Sequence, residues 1–229
     1  MQLITKTTLL SQDIIERATK LNTTLISDAL DCTGSMDYKV KPVAEGMKVV
    51  GTALTVDMKE GDNLFLHQGI YCGGPGYVLV ADGKGHTTNA YLGELMASAA
   101  RAMGLEGIVI DGLVRDKQML TAIGFPIFAK GFIPNGPFKD GPGAINIPIS
   151  CAGVTVYPGD LIVGDDDGVV VVPKEKIENV LVKAEAKFKY EEKRLQTILS
   201  YEEKRVQGNP DSISIAPEWL EDKIKEFGF

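Results

Sequence analysis

Residues 107–116, GIVIDGLVRD, carry a short run of branched aliphatic residues that ends in charged ones. Residues 108–110 have the composition of a strand buried on both faces of a sheet. A helix is predicted from Lys117 to the stop at Gly124, and a second strand over 126–129. A strand, a helix and a strand in succession indicate parallel pairing, so this stretch predicts an α/β fold.

The same pattern occurs just upstream of this stretch. Residues 77–81 form an apolar run that ends in Asp82-Gly83, and residues 84–92 are expected to form a loop. A helix with one apolar face is then predicted from Glu94 to Gly104. Two consecutive units of this kind, preceded by a β-branched strand at 49–56, predict a parallel sheet core.

The remaining segments surround this core. Two short helices are predicted before residue 35, one capped by Ser11 and one that starts near Thr24. After a loop rich in proline and glycine at 132–143, short strands joined by turn residues predict an antiparallel block at 145–149, 154–157, 161–163 and 169–172. A long charged helix should run from Pro173 to about residue 199, and a short amphipathic one over 219–227.

The composition excludes several classes of protein. The 229 residues are 44% hydrophobic and carry a net charge of −7, which suits one globular domain with or without a tail and disfavours binding to nucleic acid or to an anionic membrane. No stretch approaches a membrane span, and residues 1–11 do not resemble a signal peptide. Cys32, Cys72 and Cys151 form no zinc pattern, so we expect reduced thiols and a cytoplasmic location.

Candidate binding groups follow the predicted strands. Ligands of open α/β sheets bind at the carboxyl ends of the strands, which here carry Asp82-Gly83, Asp111-Gly112 and Arg115-Asp116. The helix that starts at Glu94 offers free N–H groups to an anion. Arg115 could bind a carboxylate or an enolate oxygen, while Asp116 and Glu94 are hard ligands for Mg²⁺ or Mn²⁺.

Each of these groups also has a structural explanation. An Arg-Asp pair after a strand is commonly a surface ion pair, and a glutamate in a first helical turn commonly balances the helix dipole. Asp-Gly is a frequent turn. The residues alone therefore leave a 2-oxo acid site and its structural alternatives evenly matched.

Two segments together resemble a known family. Residues 93–97, Gly-Glu-Leu-Met-Ala, followed by 107–116, are similar to the motif of the RraA-like family. This family includes the 4-hydroxy-4-methyl-2-oxoglutarate/4-carboxy-4-hydroxy-2-oxoadipate aldolases and is related to the RNase E regulator RraA. The aldolase pattern, an acidic residue, twenty others and then Arg-Asp, fits Glu94 and Arg115-Asp116. The similarity extends over roughly residues 20–195, which predicts a catalytic domain at 1–200 and a C-terminal extension at 201–229.

The resemblance implies a fold and an assembly. The expected fold is an α/β/β/α sandwich of the phosphohistidine (swivelling) domain type, assembled as a homotrimer or a dimer of trimers. A glutamate from the long helix would enter the site of the adjacent subunit. Glu192 matches that position best, and Glu191 is the near alternative.

The resemblance also implies roles for the motif residues. Asp116 would bind the divalent metal, Mg²⁺ or Mn²⁺, and Glu94 would hold a metal-bound water. The amides of Leu95 and Met96, which follow Gly93, would bind the carboxylate of a pyruvyl group, and Arg115 would neutralise the enolate. The aldolases commonly have aspartate where this chain has Glu94, so the exact substrate is left open.

The function implied is that of a metal-dependent lyase on small 2-oxo acids. It would cleave 4-hydroxy-2-oxo acids to pyruvate, decarboxylate oxaloacetate through the same pyruvate enolate, or do both. The alternative is an RraA-type protein without catalysis that binds and inhibits an RNase. A phosphoryl carrier on His86 lacks the partner domains it would need, and a Schiff-base aldolase would have only Lys130 as its nucleophile.

Overall fold

The computed structural model describes residues 7–207 and 214–228. Its helices, in chain order, are α1 (Gln12–Thr19), α2 (Thr23–Ala29), α3 (Leu64–Cys72), α4 (Glu94–Ala102), α5 (Lys117–Ile123), α6 (Ile177–Val206) and α7 (Glu218–Glu226). Its strands are β1 (Lys41–Pro42), β2 (Val49–Met58), β3 (Tyr77–Leu92), β4 (Gly107–Val114), β5 (Ile127–Ala129), β6 (Gly131–Phe132), β7 (Gly143–Ile145), β8 (Ile149–Cys151), β9 (Val154–Val156), β10 (Leu161–Asp165) and β11 (Gly168–Val172).

One mixed sheet organises the chain, in the order β1-β5-β4-β3-β2-β10-β11. Strands β2 to β5 pair in parallel, as the sequence predicts, while β10 and β11 add antiparallel strands beside β2. The two ends of this path approach each other, since Lys41 Nζ donates to the carbonyl oxygen of Asp167 at 2.6 Å. The fold is therefore mixed α/β with a nearly closed, barrel-like sheet.

Both faces of the sheet are covered. Leu79 and Ala81 of β3 belong to a core cluster with α3 and α4, whereas the alternating Val78 and Val80 pack with β8 and β9. A third cluster lies under α1, α2 and the start of α6 and includes Leu161. Burying one such side chain stabilises the fold by about 1.5–3 kcal/mol, so the three clusters hold the strand ends in place.

Two predicted segments differ from the structure. The expected loop at 84–92 is wrong, because β3 continues to Leu92 and pairs with β4 through a series of register shifts. The single strand expected at 145–149 is also wrong. There Asn146 takes a φ of 61° and its amide donates to Thr55, which ends β7 before β8 begins.

The described chain divides into two compact units, with the boundary after Ala184. In the second unit Arg194 donates to the carbonyl oxygen of Ile215 at 2.6 Å, which links α6 to the segment before α7. Among the described residues, no helix has the length and apolar character needed to cross a membrane. The predicted domains 1–200 and 201–229, like the phosphohistidine-type sandwich, stay predictions.

Candidate active site

A cleft of about 460 Å³ lies where α4 begins beside the end of β4. It is lined by the six residues of the sequence motif that were assigned roles in binding or catalysis: Gly93, Glu94, Leu95, Met96, Arg115 and Asp116. Residues from α3 and from the loop after β6 line it as well. The structure thus brings together the helix start, the arginine and both carboxylates.

The backbone after β4 aims Asp116 at the start of α4. Arg115 N donates to the carbonyl oxygen of Leu92 at 2.9 Å, which ties the end of β4 to the end of β3. Asp116 then takes a left-handed conformation, φ 63° and ψ 40°, which aspartate tolerates better than most residues. Its side chain does not cap α5, and its Oδ2 accepts the amide N–H of Glu94 at 3.0 Å.

Gly93 permits the close approach of these groups. A Cβ at this position would lie 2.4 Å from Asp116 Oδ2 and 3.1 Å from Arg115 Nε. Its φ of −142° is ordinary extended backbone, so the glycine is needed for space and not for conformation. Asp116 Oδ2 and Arg115 Nε are 3.9 Å apart and their side chains are 41% and 44% exposed, so the pair is loose.

The N-terminus of α4 faces the cleft, and its N-cap residue, Gly93, has no side chain to cap the helix. Glu94 N is taken by Asp116, and Ala97 N donates to the carbonyl oxygen of Gly93 at 3.1 Å. The amides of Leu95 and Met96 lie between these two in the first turn. N–H groups of a first turn, at the positive end of the helix dipole, suit a carboxylate.

A second wall of the cleft carries His67 and Lys139. Burial lowers the pKa of His67, and the positive charge of Lys139 lowers it further, which favours neutral imidazole at neutral pH. Nearby, the amide of Asn63, which is 2% exposed, donates to the carbonyl oxygen of Tyr91 at 2.8 Å. Its Oδ1 has no hydrogen-bond partner among the described residues.

Tyr91 forms the floor between these walls. Its hydroxyl donates to the carbonyl oxygen of Gly83 at 2.7 Å and accepts the amide N–H of Gly61 at 2.9 Å. Burial raises the pKa of Tyr91 to about 12, so the phenol stays neutral. Its role is to hold the carboxyl ends of the strands together.

Sequence analysis missed Asn63, His67 and Lys139. The first two follow the carboxyl end of β2, which is a parallel neighbour of β3, so the same edge rule could have located them. Lys139 lies in the proline- and glycine-rich loop after β6, and no local pattern indicates where such a loop crosses the sheet.

The carboxylates of Asp116 and Glu94 suit a particular kind of metal ion. The described residues contain no group of three or more His, Cys, Asp or Glu side chains that could enclose an ion. Mg²⁺ fits such a site, because it keeps several waters and commonly binds through one or two carboxylates. The donor set therefore fits the hard divalent ion that the sequence predicts, and Asp116 and Glu94 are the carboxylates of the cleft that would hold it.

The other two strand ends place their carboxylates elsewhere. Ala81 faces α3 and α4, so alternation along the strand puts Asp82 on the opposite face of the sheet, where Lys84 Nζ lies 2.5 Å from Asp82 Oδ2. Asp111 likewise pairs with Lys130 Nζ at 2.5 Å. We call this group, completed by Asp37 and Asp57, the lysine cluster.

Neither rival nucleophile gains support. Burial opposes the charged form of Lys130, but its hydrogen bond to Asp111 and the charges of Asp111 and Asp37 raise its pKa, the reverse of what a Schiff-base lysine needs. His86 Nε2 lies 3.0 Å from Asn89 Oδ1 and 2.7 Å from Thr88 Oγ1. His86 does not line the cleft.

Glu191 and Glu192 lie on α6 in the second compact unit, and both are exposed. Glu191 Oε1 is 3.9 Å from Lys187 Nζ, one helical turn away. The reach of either glutamate into a neighbouring subunit stays a prediction.

Comparisons with known proteins show the family to which the chain belongs. The RraA-like family, described as Aldolase/RraA, matches residues 23–171. A protein of Halalkalibacterium halodurans named "Putative 4-hydroxy-4-methyl-2-oxoglutarate aldolase" is 45% identical over 186 residues, which are 81% of this chain and 89% of that protein.

Two solved structures of relatives are also similar. The RNA-processing inhibitor RraA from Thermus thermophilis has a TM-score of 0.62 and 29% identity, over 67% of this chain and 93% of that one. Streptomyces coelicolor RraAS2, described as an unusual member of the RNase ES inhibitor RraA protein family, has a TM-score of 0.71 and 27% identity, over 81% and 98% of the two chains.

Proposed function

Because the chain belongs to the RraA-like Aldolase/RraA family, we propose that it is a divalent-metal-dependent lyase acting on small 2-oxo acids. Its reaction is retro-aldol cleavage of a 4-hydroxy-2-oxo acid to pyruvate, with oxaloacetate decarboxylation as a second outcome of the same enolate. The name of the relative at 45% identity supports a lyase. A cytoplasmic location is part of this proposal.

One observation carries the proposal: because Gly93 has no Cβ, the side chains of Asp116 and Arg115 can both lie against the start of α4, where the amides of Leu95 and Met96 remain available to a substrate. A surface ion pair has no need of such close contact with a glycine. It also has no need to leave an arginine and a carboxylate 3.9 Å apart and half exposed. These groups keep hydrogen-bonding capacity that a substrate can use.

Different residues of the cleft bind different parts of the substrate. The amides of Leu95 and Met96 receive the substrate carboxylate, and Arg115 meets the oxygen at C2. Asp116 would hold Mg²⁺ or Mn²⁺, which would supply additional positive charge to the site. His67 and Lys139, on the second wall, face the part of the substrate that leaves as the carbonyl product.

The chemistry needs one bond to break and one proton to move. When the C3–C4 bond breaks, its electron pair passes to C3 and the C2 oxygen becomes an enolate, whose charge Arg115 stabilises. The proton of the 4-hydroxyl leaves as the new carbonyl forms, and a proton is added to C3 to give pyruvate. Glu94 is the exposed carboxylate that takes and returns this proton, directly or through water.

The alternative function is that of the named relatives that inhibit RNA processing. A protein that only binds an RNase does not need the planar guanidinium of Arg115, with its several N–H donors, at this position. An arginine-to-lysine change therefore separates the two functions.

The test uses pyruvate alone, since reversible enolate formation exchanges its methyl protons with solvent. Exchange in D₂O, followed by proton NMR, should stop in excess chelator and return with Mg²⁺. Arg115→Lys should lower kcat for exchange by roughly a hundredfold, the scale of losing one oxyanion donor. An effect confined to KM would assign Arg115 to carboxylate binding alone, and no exchange by the wild type would refute the lyase.

The assembly is a further part of the proposal. In a homotrimer or a dimer of trimers, Glu192 or Glu191 would complete the site of the adjacent subunit. Refolding Asp116→Ala together with Glu192→Ala should then restore activity at sites where both intact residues meet. Full activity of both Glu191→Ala and Glu192→Ala would remove this region from the mechanism.

A further inference from the structure

The loop between β6 and β7 is held firmly at both of its ends. Near its C-terminal end, Asp62 Oδ2 accepts the amides of Asp140 and Gly141 at 2.5 and 2.9 Å. Phe138 N donates to the carbonyl oxygen of Gly61 at 2.8 Å. These contacts fix the part of the loop that carries Lys139 into the cleft.

The other end of the loop is held by β3. Asn89 Nδ2 donates to the carbonyl oxygen of Gly136 at 2.6 Å, and Asn135 Nδ2 donates to that of Thr88 at 3.0 Å. Ala90 N donates to the carbonyl oxygen of Asn135 at 2.8 Å. Three hydrogen bonds thus join two short stretches that are far apart in sequence.

Gly136 lies directly against Arg115. A Cβ on Gly136 would come within 3.1 Å of one terminal guanidinium nitrogen of Arg115, closer than most real Cβ contacts. The backbone of the loop therefore forms one boundary of the space that the guanidinium occupies. Arg115 is 44% exposed, and a long side chain with that much exposure has many rotamers to choose from.

The amide of Asn89 can be oriented in only one way that satisfies its neighbours. Its Oδ1 lies 3.0 Å from His86 Nε2 and accepts the hydroxyl of Thr88 at 3.1 Å. The NH₂ group is therefore the end that faces the carbonyl oxygen of Gly136, which is an acceptor only.

We propose that Asn89 is a positioning residue, which holds Gly136 against the guanidinium of Arg115 and so fixes the direction in which Arg115 enters the cleft. The inference rests on the proposed function, because a fixed direction matters where a charge develops on a substrate oxygen. A donor that is already aimed at that oxygen stabilises it without reorganisation during the reaction. Asn89 itself does not line the cleft.

The main variant is Asn89→Ala, with Thr88→Val as its control. Thr88→Val removes the hydroxyl from the same group of hydrogen bonds but leaves the Asn89 amide on Gly136. For the proton exchange of pyruvate, Asn89→Ala should lower kcat about tenfold or more, since a misplacement of about 1 Å can cost a hundredfold. KM and the thermal unfolding temperature should stay near wild type, and Thr88→Val should behave as wild type.

A double-mutant cycle shows whether Asn89 acts through Arg115. In the Arg115→Lys background, Asn89→Ala should have little further effect, because the group that it positions is already gone. The same fold-loss in both backgrounds would overturn the inference. So would wild-type kcat in Asn89→Ala.

A readout without turnover separates this inference from the proposed function. The Nε–H signal of Arg115 in a ¹⁵N spectrum is identified by its loss in Arg115→Lys. Its {¹H}–¹⁵N nuclear Overhauser effect should fall in Asn89→Ala and not in Thr88→Val, because the guanidinium becomes more mobile. An unchanged effect overturns the positioning role even if the enzyme is active, whereas absence of exchange in the wild type overturns the lyase.

Discussion

The cleft and the lysine cluster contain the same kinds of groups but arrange them differently. In the cluster, Lys130 and Asp111 are 2.5 Å apart and their side chains are 15% and 9% exposed. In the cleft, Arg115 and Asp116 are 3.9 Å apart and more than 40% exposed. Both regions lie at carboxyl ends of neighbouring parallel strands. The cleft lies beside the start of α4, whereas Asp82 and Asp111 follow residues that pack against α3 and α4 and therefore point to the opposite face of the sheet.

The two regions differ in how much hydrogen-bonding capacity their charged side chains retain for a ligand. Asp111 accepts the amide N–H of Ala152 at 2.9 Å through one oxygen, and its other oxygen lies 2.5 Å from Lys130 Nζ. Asp116 is bound by one backbone amide, and Arg115 is held near it only loosely. Close pairing stabilises the fold, whereas loose pairing leaves groups available to a ligand.

The largest effect should come from Asp116→Asn. Asparagine tolerates the left-handed conformation and can still accept the Glu94 amide, so the fold should be retained while the charge is lost. Proton exchange of pyruvate should fall by roughly a hundredfold or more. Asp111→Asn is the matched control in the lysine cluster: it should lower stability and leave exchange nearly unchanged, and the opposite pattern would reverse the comparison.

Lys130→Met breaks the lysine cluster itself. It removes the cation that pairs with Asp111 and Asp37, and removing one partner of a largely buried ion pair destabilises a fold by about 3–5 kcal/mol. Urea unfolding should show this loss, while kcat for exchange stays within about twofold of wild type. A dead but stable Lys130→Met protein would instead bring Lys130 into the chemistry.

Gly93→Ala tests the close contact in the cleft. Its methyl group would meet Asp116 Oδ2 at 2.4 Å, so Asp116 and Arg115 must move apart. We expect kcat to fall about tenfold, with a change in unfolding free energy below about 1 kcal/mol, because the contact lies at an exposed edge. Gly74→Ala is the control, since the nearest atom to its Cβ is 4.0 Å away. Wild-type kcat for Gly93→Ala would show that the contact is not needed.

The smallest effect concerns Asp62, a carboxylate saturated by backbone amides. Burial opposes its ionisation, but N–H groups of Leu64, Asp140 and Gly141 lower its pKa below the ordinary value. A lowered pKa adds stability above the unfolded-state pKa of about 4, and that stability is lost as the pH falls through the folded-state pKa. The difference in unfolding free energy between wild type and Asp62→Asn should therefore shrink at acid pH. A difference that does not depend on pH would contradict this assignment.

Local patterns in the sequence predict most of the fold. The helix at 117–123 and the parallel order of β3, β4 and β5 are confirmed, because apolar periodicity and glycine stops are local signals. The prediction of a loop at 84–92 was wrong. Most residues of this segment are polar, and it forms a strand because it pairs with β4. Pairing between distant segments overrides local propensity at such positions.

The candidate site was likewise predicted only in part from the sequence. The motif residues from Gly93 to Asp116 gather in one cleft, because strand ends on a common edge meet wherever the sheet is parallel. Lys139 could not be predicted, because it lies in a loop whose course depends on long-range hydrogen bonds. Asn63 and His67 follow the carboxyl end of β2, so the same rule could have located them. Sequence analysis also did not assign Asp82 and Asp111 to the opposite face, although alternation along their strands determines it.

The absence of a Cβ at Gly93 has a consequence for evolution within the family. One added methyl group disrupts the contact between Asp116 and Arg115 but leaves the buried clusters untouched. One substitution at this position can therefore weaken the proposed chemistry about tenfold while the buried clusters, and the surface they support, are retained for selection as a binding protein.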